Sequence, residues 1–398
     1  MNGKYKKYKI KEIAKSMSDA PFGSNLKNTD YRDEGILILQ GKNIQGRSCD
    51  WSEKRFISKG KFDTLKKHQV KVGELIFPKV GTIGKVGILT PYKNDSDYVL
   101  STNTMKLEVN ESIANRDYVY YYFANPSVAQ YINQIGSNSV QPVFNFTSLK
   151  EFEISLPSLS TQRRIAAILT ALDDKIELNR RMNATLEGIA QALWGEWFGK
   201  YAGGEEELQE GWRWGKLGDV AQTKKGQIKP DEMTDELQYV GLEHIARKSL
   251  SLTDSGTAGK LESNKFRFSK GDLLFGKLRP YFHKVCIAPF DGVCSTDILV
   301  IKPKEAAWFA FVVFHFFSDE LISFTTATAD GTRMPRTSWG DLANFEIAIP
   351  PKPLALTFNE FAKHIFEKMI ENNQESHTLT SLRDALLPQL MRGEINPS

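Results

Sequence analysis

The 398-residue sequence contains few of the residues that catalytic sites, metal sites and disulfide frameworks require. It has six histidines and three cysteines, which are Cys49, Cys286 and Cys294. An odd number of widely spaced cysteines gives no disulfide framework, so the sequence favours a reducing cytoplasm. His283 lies close to Cys286 and Cys294, but no fourth ligand follows at a spacing typical of zinc sites. Core and loop positions are therefore the favoured interpretation of these residues.

Long hydrophobic segments are also missing. The longest apolar run, Ala306–Phe317, is too short to cross a bilayer and predicts a buried helix or strand. The first fifteen residues are polar and basic, so no secretory signal is predicted. A net charge of +4 is compatible with an anionic partner but is only weak support for one.

Motifs of nucleotide or methyl transfer are absent from the sequence. The glycine turn Gly81–Lys85 is shorter than a phosphate-binding loop, and Val86 replaces the serine or threonine that would hold magnesium. An adenine methyltransferase would need an Asn/Asp-Pro-Pro-aromatic motif, and neither Asn125–Ser127 nor Ile349–Pro351 provides one. No histidine stands in an obvious nucleophile arrangement. We predict a non-catalytic chain without cofactor or metal.

The most informative feature present is a duplication. GELIFPKVGTIGKVGI (Gly73–Ile88) resembles GDLLFGKLRPYFHKVCI (Gly271–Ile287), and KEFEISLP (Lys150–Pro157) matches ANFEIAIP (Ala343–Pro350). The separation of about 195 residues far exceeds solenoid repeats and indicates two similar domains. Glycine-bounded β-type runs predict strands in each half. The aromatic run Tyr118–Ile132 predicts a buried helix that is interrupted at Asn125-Pro126.

After each half the hydrophobic period changes from 2 to about 3.5, which indicates a coiled coil. Packing of each helix on its own domain is the simpler alternative. Asn179, Asn183 and Asn372 fall on the apolar seam, whereas Arg383 interrupts it. The predicted coiled-coil positions are Ile165, Leu169, Leu172, Ile176, Asn179, Leu186 and Leu193 in the first helix, and Phe358, Ile365, Met369, Asn372, Leu379 and Leu386 in the second.

The duplication also predicts how the helices pair. A pseudo-twofold axis across the pair makes them antiparallel, so that paired residue numbers sum to about 551, as for Ile165 with Leu386, Asn179 with Asn372 and Leu193 with Phe358. A helix from about Ser160 to Phe198 would be roughly 58 Å long. That length exceeds one turn of B-DNA, about 34–36 Å. We expect the domains to lie at opposite ends of the helix pair.

This layout resembles the specificity subunits of type I restriction–modification enzymes. The resemblance covers nearly the whole chain and rests on Gly73–Ile88, on Leu156–Trp194 and on Leu382–Ile395. It implies an α+β fold with two target recognition domains separated by an antiparallel helix pair. The sequence departs from the pattern where the second helix begins, because KPLALTF has no counterpart of Gln162.

The resemblance also implies the partners. They are double-stranded DNA, two methyltransferase subunits docked on the helices, and restriction subunits that join through the methyltransferase. We expect target recognition domain 1 at 1–157, the first helix at 158–200, target recognition domain 2 at 201–350, and the second helix with a tail at 351–398.

DNA recognition needs cations for phosphates and amide or guanidinium groups for base edges. Such side chains concentrate around glycine turns and in one polar loop of each half. The candidates are Lys42, Asn43, Gln45, Arg47, Lys79, Lys85, Asn138 and Gln141 in the first half, and Lys277, Arg279, His283, Lys284, Thr332, Arg333 and Arg336 in the second.

Two other functions remain open from the sequence. A stand-alone DNA-modification enzyme would need the cofactor and catalytic motifs that are missing. A coiled-coil adaptor that does not bind DNA would keep the helices but would not need the basic loops.

Overall fold

The computed structural model describes residues 5–136, 143–201, 207–224, 226–331 and 333–395. The chain forms two compact units: unit 1 is Met1–Asp174 with Ser381–Ser398, and unit 2 is Lys175–Thr380. Each unit contains helices and sheets, and each includes part of both long helices. The predicted α+β class with duplicated domains is confirmed.

Unit 1 contains a four-stranded sheet, a five-stranded sheet and two strand pairs. The central strand Leu75–Pro78 is buried along its whole length because apolar residues cover both of its faces. In sheet order, the strands are Gly87–Ile88, Leu75–Pro78, Thr104–Val109 and Ala14–Ser18; then Tyr31–Arg32, Phe56–Ile57, Ile36–Leu39, Tyr98–Leu100 and Gln69–Val70; then the pairs Lys6–Lys9 with Glu153–Leu156 and Ile44–Gln45 with Ser48–Cys49.

Unit 2 has a similar topology, but its edge strand Gln227–Ile228 pairs with Lys265–Phe268, whereas the edge strand Tyr31–Arg32 of unit 1 pairs with Phe56–Ile57. In both five-stranded sheets one pair is parallel, Tyr98–Leu100 with Ile36–Leu39 in unit 1 and Gly292–Cys294 with Gln238–Val240 in unit 2. In sheet order, the strands of unit 2 are Ala221–Thr223, Ile298–Pro303, Leu273–Gly276 and Val285–Ile287; then Gln227–Ile228, Lys265–Phe268, Gly292–Cys294, Gln238–Val240 and Gly256–Thr257; then the pair Arg213–Lys216 with Glu346–Ile349.

Helices cover the four-stranded sheets. The predicted interruption in the aromatic run is confirmed, because one helix ends at Ala124 and the next begins at Pro126. Proline fits a first helical turn, where its missing N–H would have no partner. The shorter α-helices are Ile10–Ile13, Lys59–Thr64, Arg116–Ala124, Pro126–Gly136 and Phe146–Glu151 in unit 1, and Leu217–Val220, Phe309–Phe316, Asp319–Thr328 and Trp339–Ala343 in unit 2.

The most apolar helix lies in the core of unit 2. Residues Ala310–Phe316 are all buried, so the apolar run is a core helix. In the part of the chain that the structure describes, no single helix combines the length and the apolar composition that a membrane span needs. Ala306–Phe316 and Asp319–Thr328 meet those two criteria only when they are joined, and they are bent by 68°.

The long helices are Leu159–Phe198, of 40 residues, and Lys352–Arg392, of 41 residues. The second long helix lacks a counterpart of Gln162, and Asn359 makes the equivalent hydrogen bond instead. Gln162 accepts a hydrogen bond from the Asn115 backbone N–H at 2.9 Å, and Asn359 accepts one from Ala310 N–H at 3.0 Å. Each long helix therefore holds the start of a domain helix through one side-chain carbonyl.

Contacts inside each unit confirm the antiparallel pairing. Ile165 and Leu386 lie in the core of unit 1, whereas Leu193 and Phe358 lie in the core of unit 2. The side-chain amide of Asn179 donates to the backbone oxygen of Asn372 at 3.3 Å.

Asn179 therefore lies beside Asn372 as predicted, but the side-chain amide of Asn372 pairs one helical turn along the first helix. Asn372 donates its amide hydrogen to Asn183 Oδ1 at 2.8 Å, and Asn183 donates to Asn373 Oδ1 at 2.7 Å. Asn179 donates to the Glu375 carboxylate at 2.8 Å instead. The physical reason is that a seam residue inserts between two layers of the opposite helix, so one residue number does not define one partner.

Arg383 interrupts the apolar seam because it forms an ion pair across the helices. Its Nη1 lies 2.7 Å from Asp173 Oδ1, and Asp173 Oδ2 accepts a hydrogen bond from the Tyr121 hydroxyl at 2.6 Å. The Asp173 side chain is only 14% exposed.

Replacing Arg383 with alanine should therefore destabilise unit 1 by about 2 kcal/mol, since it leaves a largely buried carboxylate without its cation. Hydrogen–deuterium exchange of the Arg116–Ala124 segment would measure this change. Arg163→Ala, an exposed change on the first long helix, is the control. Equal protection in both variants would show that the ion pair contributes nothing.

Candidate nucleic-acid interface

In unit 1 the end of the central strand is hydrogen-bonded to the chain that follows the predicted polar loop. Lys79 follows the strand Leu75–Pro78, and its N–H donates to Asn103 O at 2.9 Å. The Lys79 carbonyl accepts from Phe144 N–H at 3.1 Å. This bond attaches the chain directly after the polar loop to the end of the strand.

Unit 2 has the equivalent hydrogen bonds. Lys277 follows the strand Leu273–Gly276, its N–H donates to Asp297 O at 2.9 Å, and its carbonyl accepts from Thr337 N–H at 3.0 Å. Both halves therefore use equivalent hydrogen bonds to join the lysine that follows a central strand to a later segment of the chain, at Phe144 in unit 1 and at Thr337 in unit 2.

Unit 2 brings two of the predicted clusters together. Arg279 N–H donates to Pro335 O at 2.8 Å, and Leu278 forms a β-bridge with Arg336. Arg336 also pairs with the Asp297 carboxylate at 3.1 Å. Because Arg333 is exposed on this loop, the basic segment and the polar loop form one surface.

The basic segment has an unusual backbone. Arg279 has φ 51° and His283 has φ 49°, on either side of the 3₁₀ turn Pro280–Phe282. Left-handed conformations are uncommon for residues other than glycine and cost of order 1–3 kcal/mol. The bonds to Pro335 and the turn hold this conformation, which leaves Tyr281 48% exposed.

His283 and Lys284, predicted as DNA-contact residues, make structural contacts instead. His283 is 4% exposed and packs against Phe317, and burial lowers the pKa of its imidazole although Asp319 lies 3.4 Å away. Lys284 donates its ammonium hydrogen to Leu242 O, and desolvation lowers the pKa of that ammonium group. The His283 side chain is therefore too buried to reach DNA, and the half-buried Lys284 already uses one ammonium hydrogen inside the unit.

Unit 1 requires a similar correction for Asn43. It is 2% exposed; its Oδ1 accepts from Gln40 N–H at 3.0 Å, and its amide donates to Asp50 O at 2.8 Å. In unit 2 His244 Nδ1 accepts from Gly241 N–H at 2.9 Å in the matching turn. Asn43 fixes a turn and is not available to adenine.

Arg47 is also corrected, because it binds the first long helix. Its Nη1 donates to Thr170 Oγ1 at 2.5 Å, and its guanidinium lies over the Tyr121 ring at 5.8 Å. The other two candidates in this segment, Lys42 and Gln45, are on the surface. Gln45 is exposed, and Lys42 forms a surface ion pair with Glu53.

The two lysines around the glycine turn differ. Lys79 pairs with Asp19 at 2.8 Å, whereas Lys85 is exposed and forms no ion pair with other residues in the described ranges. Gly84 has φ 84°, and a Cβ there would meet Ala129 O at 2.8 Å. Glycine thus allows the turn to pack on the helix Pro126–Gly136 and to present Lys85.

Three candidates, Asn138, Gln141 and Thr332, lie outside the described residues. One further cation was missed by the sequence reasoning. The Arg247 guanidinium lies 4.1 Å from the centroid of the Phe282 ring, and Arg247 forms a β-bridge with Lys284. The sequence signal for this cation was the basic pair Arg247-Lys248, which occupies a position in the second half similar to that of Arg47 in the first.

The described ranges contain no group of three or more His, Cys, Asp or Glu residues placed to hold a metal ion. Cys286 and Cys294 lie in an apolar core of unit 2. The unit 1 surface presents Lys42, Gln45 and Lys85, and the unit 2 surface presents Arg333, Arg336 and Tyr281. Cations of this kind can neutralise phosphates, and amide, guanidinium or aromatic groups can contact bases.

A sequence model of the family described as type I restriction modification DNA specificity domain matches residues 2–188 and 209–370. The MjaIX specificity subunit of Methanocaldococcus jannaschii is 27% identical over 369 residues, which cover 85% of this chain and 83% of that protein. The HindI specificity subunit of Haemophilus influenzae is 25% identical, with 83% and 88% coverage. A crystal structure of the S subunit of a type I system from M. genitalium shares the fold, with a TM-score of 0.57, 16% identity, and coverage of 98% and 96%.

Proposed function

Because the chain belongs to the type I restriction modification DNA specificity family, we propose that its two units read the two halves of one bipartite DNA target. It is a non-catalytic specificity subunit with two target recognition domains. The supporting observation is that Lys79 and Lys277, each directly after a central strand, make equivalent backbone hydrogen bonds in the two units.

The two half-sites should differ. The loop after the aromatic helix has the sequence GSNSVQP in the first half and DGTRMPR in the second, so the hydrogen-bonding groups they offer to bases are unlike. We propose an asymmetric target whose two parts are separated by bases that neither domain reads. At 1.5 Å per residue, helices of this length extend about 60 Å, which is more than one turn of DNA.

We further propose that methyltransferase subunits dock on the long helices and that restriction subunits join through them. Exposed apolar side chains on these helices support this assignment, because large apolar groups on a surface favour protein contacts. They are Ile168, Leu178, Ile189, Leu356, Phe361 and Leu382. The docked methyltransferases would then modify an adenine in each half-site.

Methylome sequencing tests the proposal. Cells carrying this chain with its methyltransferase should show methylated adenines in one interrupted, non-palindromic motif, and cells without the chain should not. A continuous or palindromic motif would contradict the bipartite assignment.

Direct binding tests the interfaces. Lys85→Ala and Arg333→Ala should each weaken binding of the methyltransferase complex to duplex DNA if each cation meets a phosphate. The plot of log affinity against log salt should become shallower by about 0.9 for each phosphate that is no longer neutralised. Lys7→Ala, an exposed cation outside both interfaces, is the control. An unchanged salt slope in Lys85→Ala or Arg333→Ala would remove that residue from the interface.

A further inference from the structure

In unit 1 the Phe22 side chain is presented to solvent on a short, well-anchored loop. Phe22 is 77% exposed, whereas Ala20 and Leu26 on either side of it are buried. The Phe22 carbonyl accepts hydrogen bonds from Asn25 N–H at 2.8 Å and Leu26 N–H at 3.2 Å. The loop is closed by its own backbone, and it holds the ring away from the core.

Asp19, at the base of this loop, contacts Lys79 of the candidate interface and His68. Asp19 pairs through its carboxylate with Lys79 at 2.8 Å, and its carbonyl oxygen lies 2.8 Å from His68 Nδ1. Lys66 and Lys67 precede His68 in a 3₁₀ turn; both are exposed and without an ion pair among the described residues.

Single exposed apolar residues are common and need no explanation by themselves. Phe22 differs because Asp19, at the base of its loop, pairs with Lys79 and contacts His68, which directly follows the exposed Lys66 and Lys67. Lysines beside an exposed ring are the combination that proteins use to hold a phosphate backbone and to stack on, or wedge between, bases.

We propose that Phe22, Lys66, Lys67 and Lys79 form a DNA-contacting patch, here called the Phe22 patch, in which the Phe22 ring unstacks one base step of the first half-site. The inference rests on the proposed function and adds a mode of recognition to it. A wedge responds to how easily a step deforms, so the patch would contribute specificity without hydrogen bonds to bases.

The test uses the chain assembled with its methyltransferase subunits and a duplex carrying the motif found by methylome sequencing. 2-Aminopurine is placed at successive positions of the first half-site, where unstacking raises its fluorescence. The wild type should raise fluorescence at one step, and Phe22→Ser should abolish that rise and weaken binding roughly 5- to 100-fold. Phe22→Leu should keep the signal, because leucine can also act as a wedge.

Two matched variants separate the parts of the patch. Lys66→Ala with Lys67→Ala should make the salt dependence shallower by about 2 in slope while the fluorescence rise persists. Val72→Ser, which removes another exposed apolar side chain of unit 1, should change neither measurement.

Equal affinity in Phe22→Ser and the wild type, or a fluorescence rise that persists in Phe22→Ser, would overturn the proposal. If Phe22→Ser bound DNA more weakly but the wild type raised 2-aminopurine fluorescence at no position, the wedge would be overturned as well. In each of these cases the wild type still binds its motif, so the proposed function stands. Failure of the wild-type complex to bind any duplex would instead reject both.

Discussion

Replacing Phe358 with alanine is expected to lower the free energy of unfolding of unit 2 by about 3–5 kcal/mol. Phe358 is 0% exposed, and its ring centroid lies 5.1 Å from Phe198 and 6.1 Å from Phe314. The substitution would leave a cavity where the two long helices meet the core of unit 2. Because Trp51 is in unit 1 and the other six of the seven tryptophans are in unit 2, tryptophan fluorescence during urea unfolding mainly reports unit 2.

Phe361→Ala is the matched control, since this ring is on the same helix and is 46% exposed. It should cost well under 1 kcal/mol. Comparable losses in the two variants would mean that Phe358 does not join the helix pair to the core.

Replacing Asn183 with alanine is expected to destabilise unit 2 by about 3 kcal/mol, because it leaves Asn372 and Asn373 buried without a shared partner. Asn183 is 3% exposed and also donates to Met369 O at 3.2 Å, so its amide closes a network across both helices. Denaturant unfolding followed by tryptophan fluorescence would measure the loss.

The combined change of Asn183, Asn372 and Asn373 to leucine should cost less than Asn183→Ala alone, because it removes the unpaired groups together. Gln191→Ala, an exposed change on the first long helix, is the control for helix propensity. A larger loss in the triple variant would indicate that the asparagines contribute net stability as well as register.

The residues of the candidate site could be predicted only in part from the sequence, and the wrong predictions share one cause. Asn43, Arg47, His283 and Lys284 have side chains that suit DNA recognition, but in the structure they bind a turn, a helix or a carbonyl group, or lie buried against the core. Residue type shows which groups a side chain can bind. It does not show whether the folded chain already supplies those groups.

Phe22 illustrates the opposite error. An aromatic residue between Pro21 and Gly23 gives no periodic signal, so the sequence offered no reason to distinguish it from a core residue. Only the structure shows that the ring faces solvent and that Asp19, at the base of its loop, pairs with Lys79.

The sequence by itself determined the duplication, the two long helices and their antiparallel direction, because repeated segments and a 3.5-residue period are local patterns that survive without coordinates. Tertiary structure decided which asparagines pair, why Arg383 stands in an apolar seam, and which cations remain free. Those outcomes depend on contacts between residues that are distant in the chain. Burial and hydrogen-bond partners are fixed only when the chain has packed.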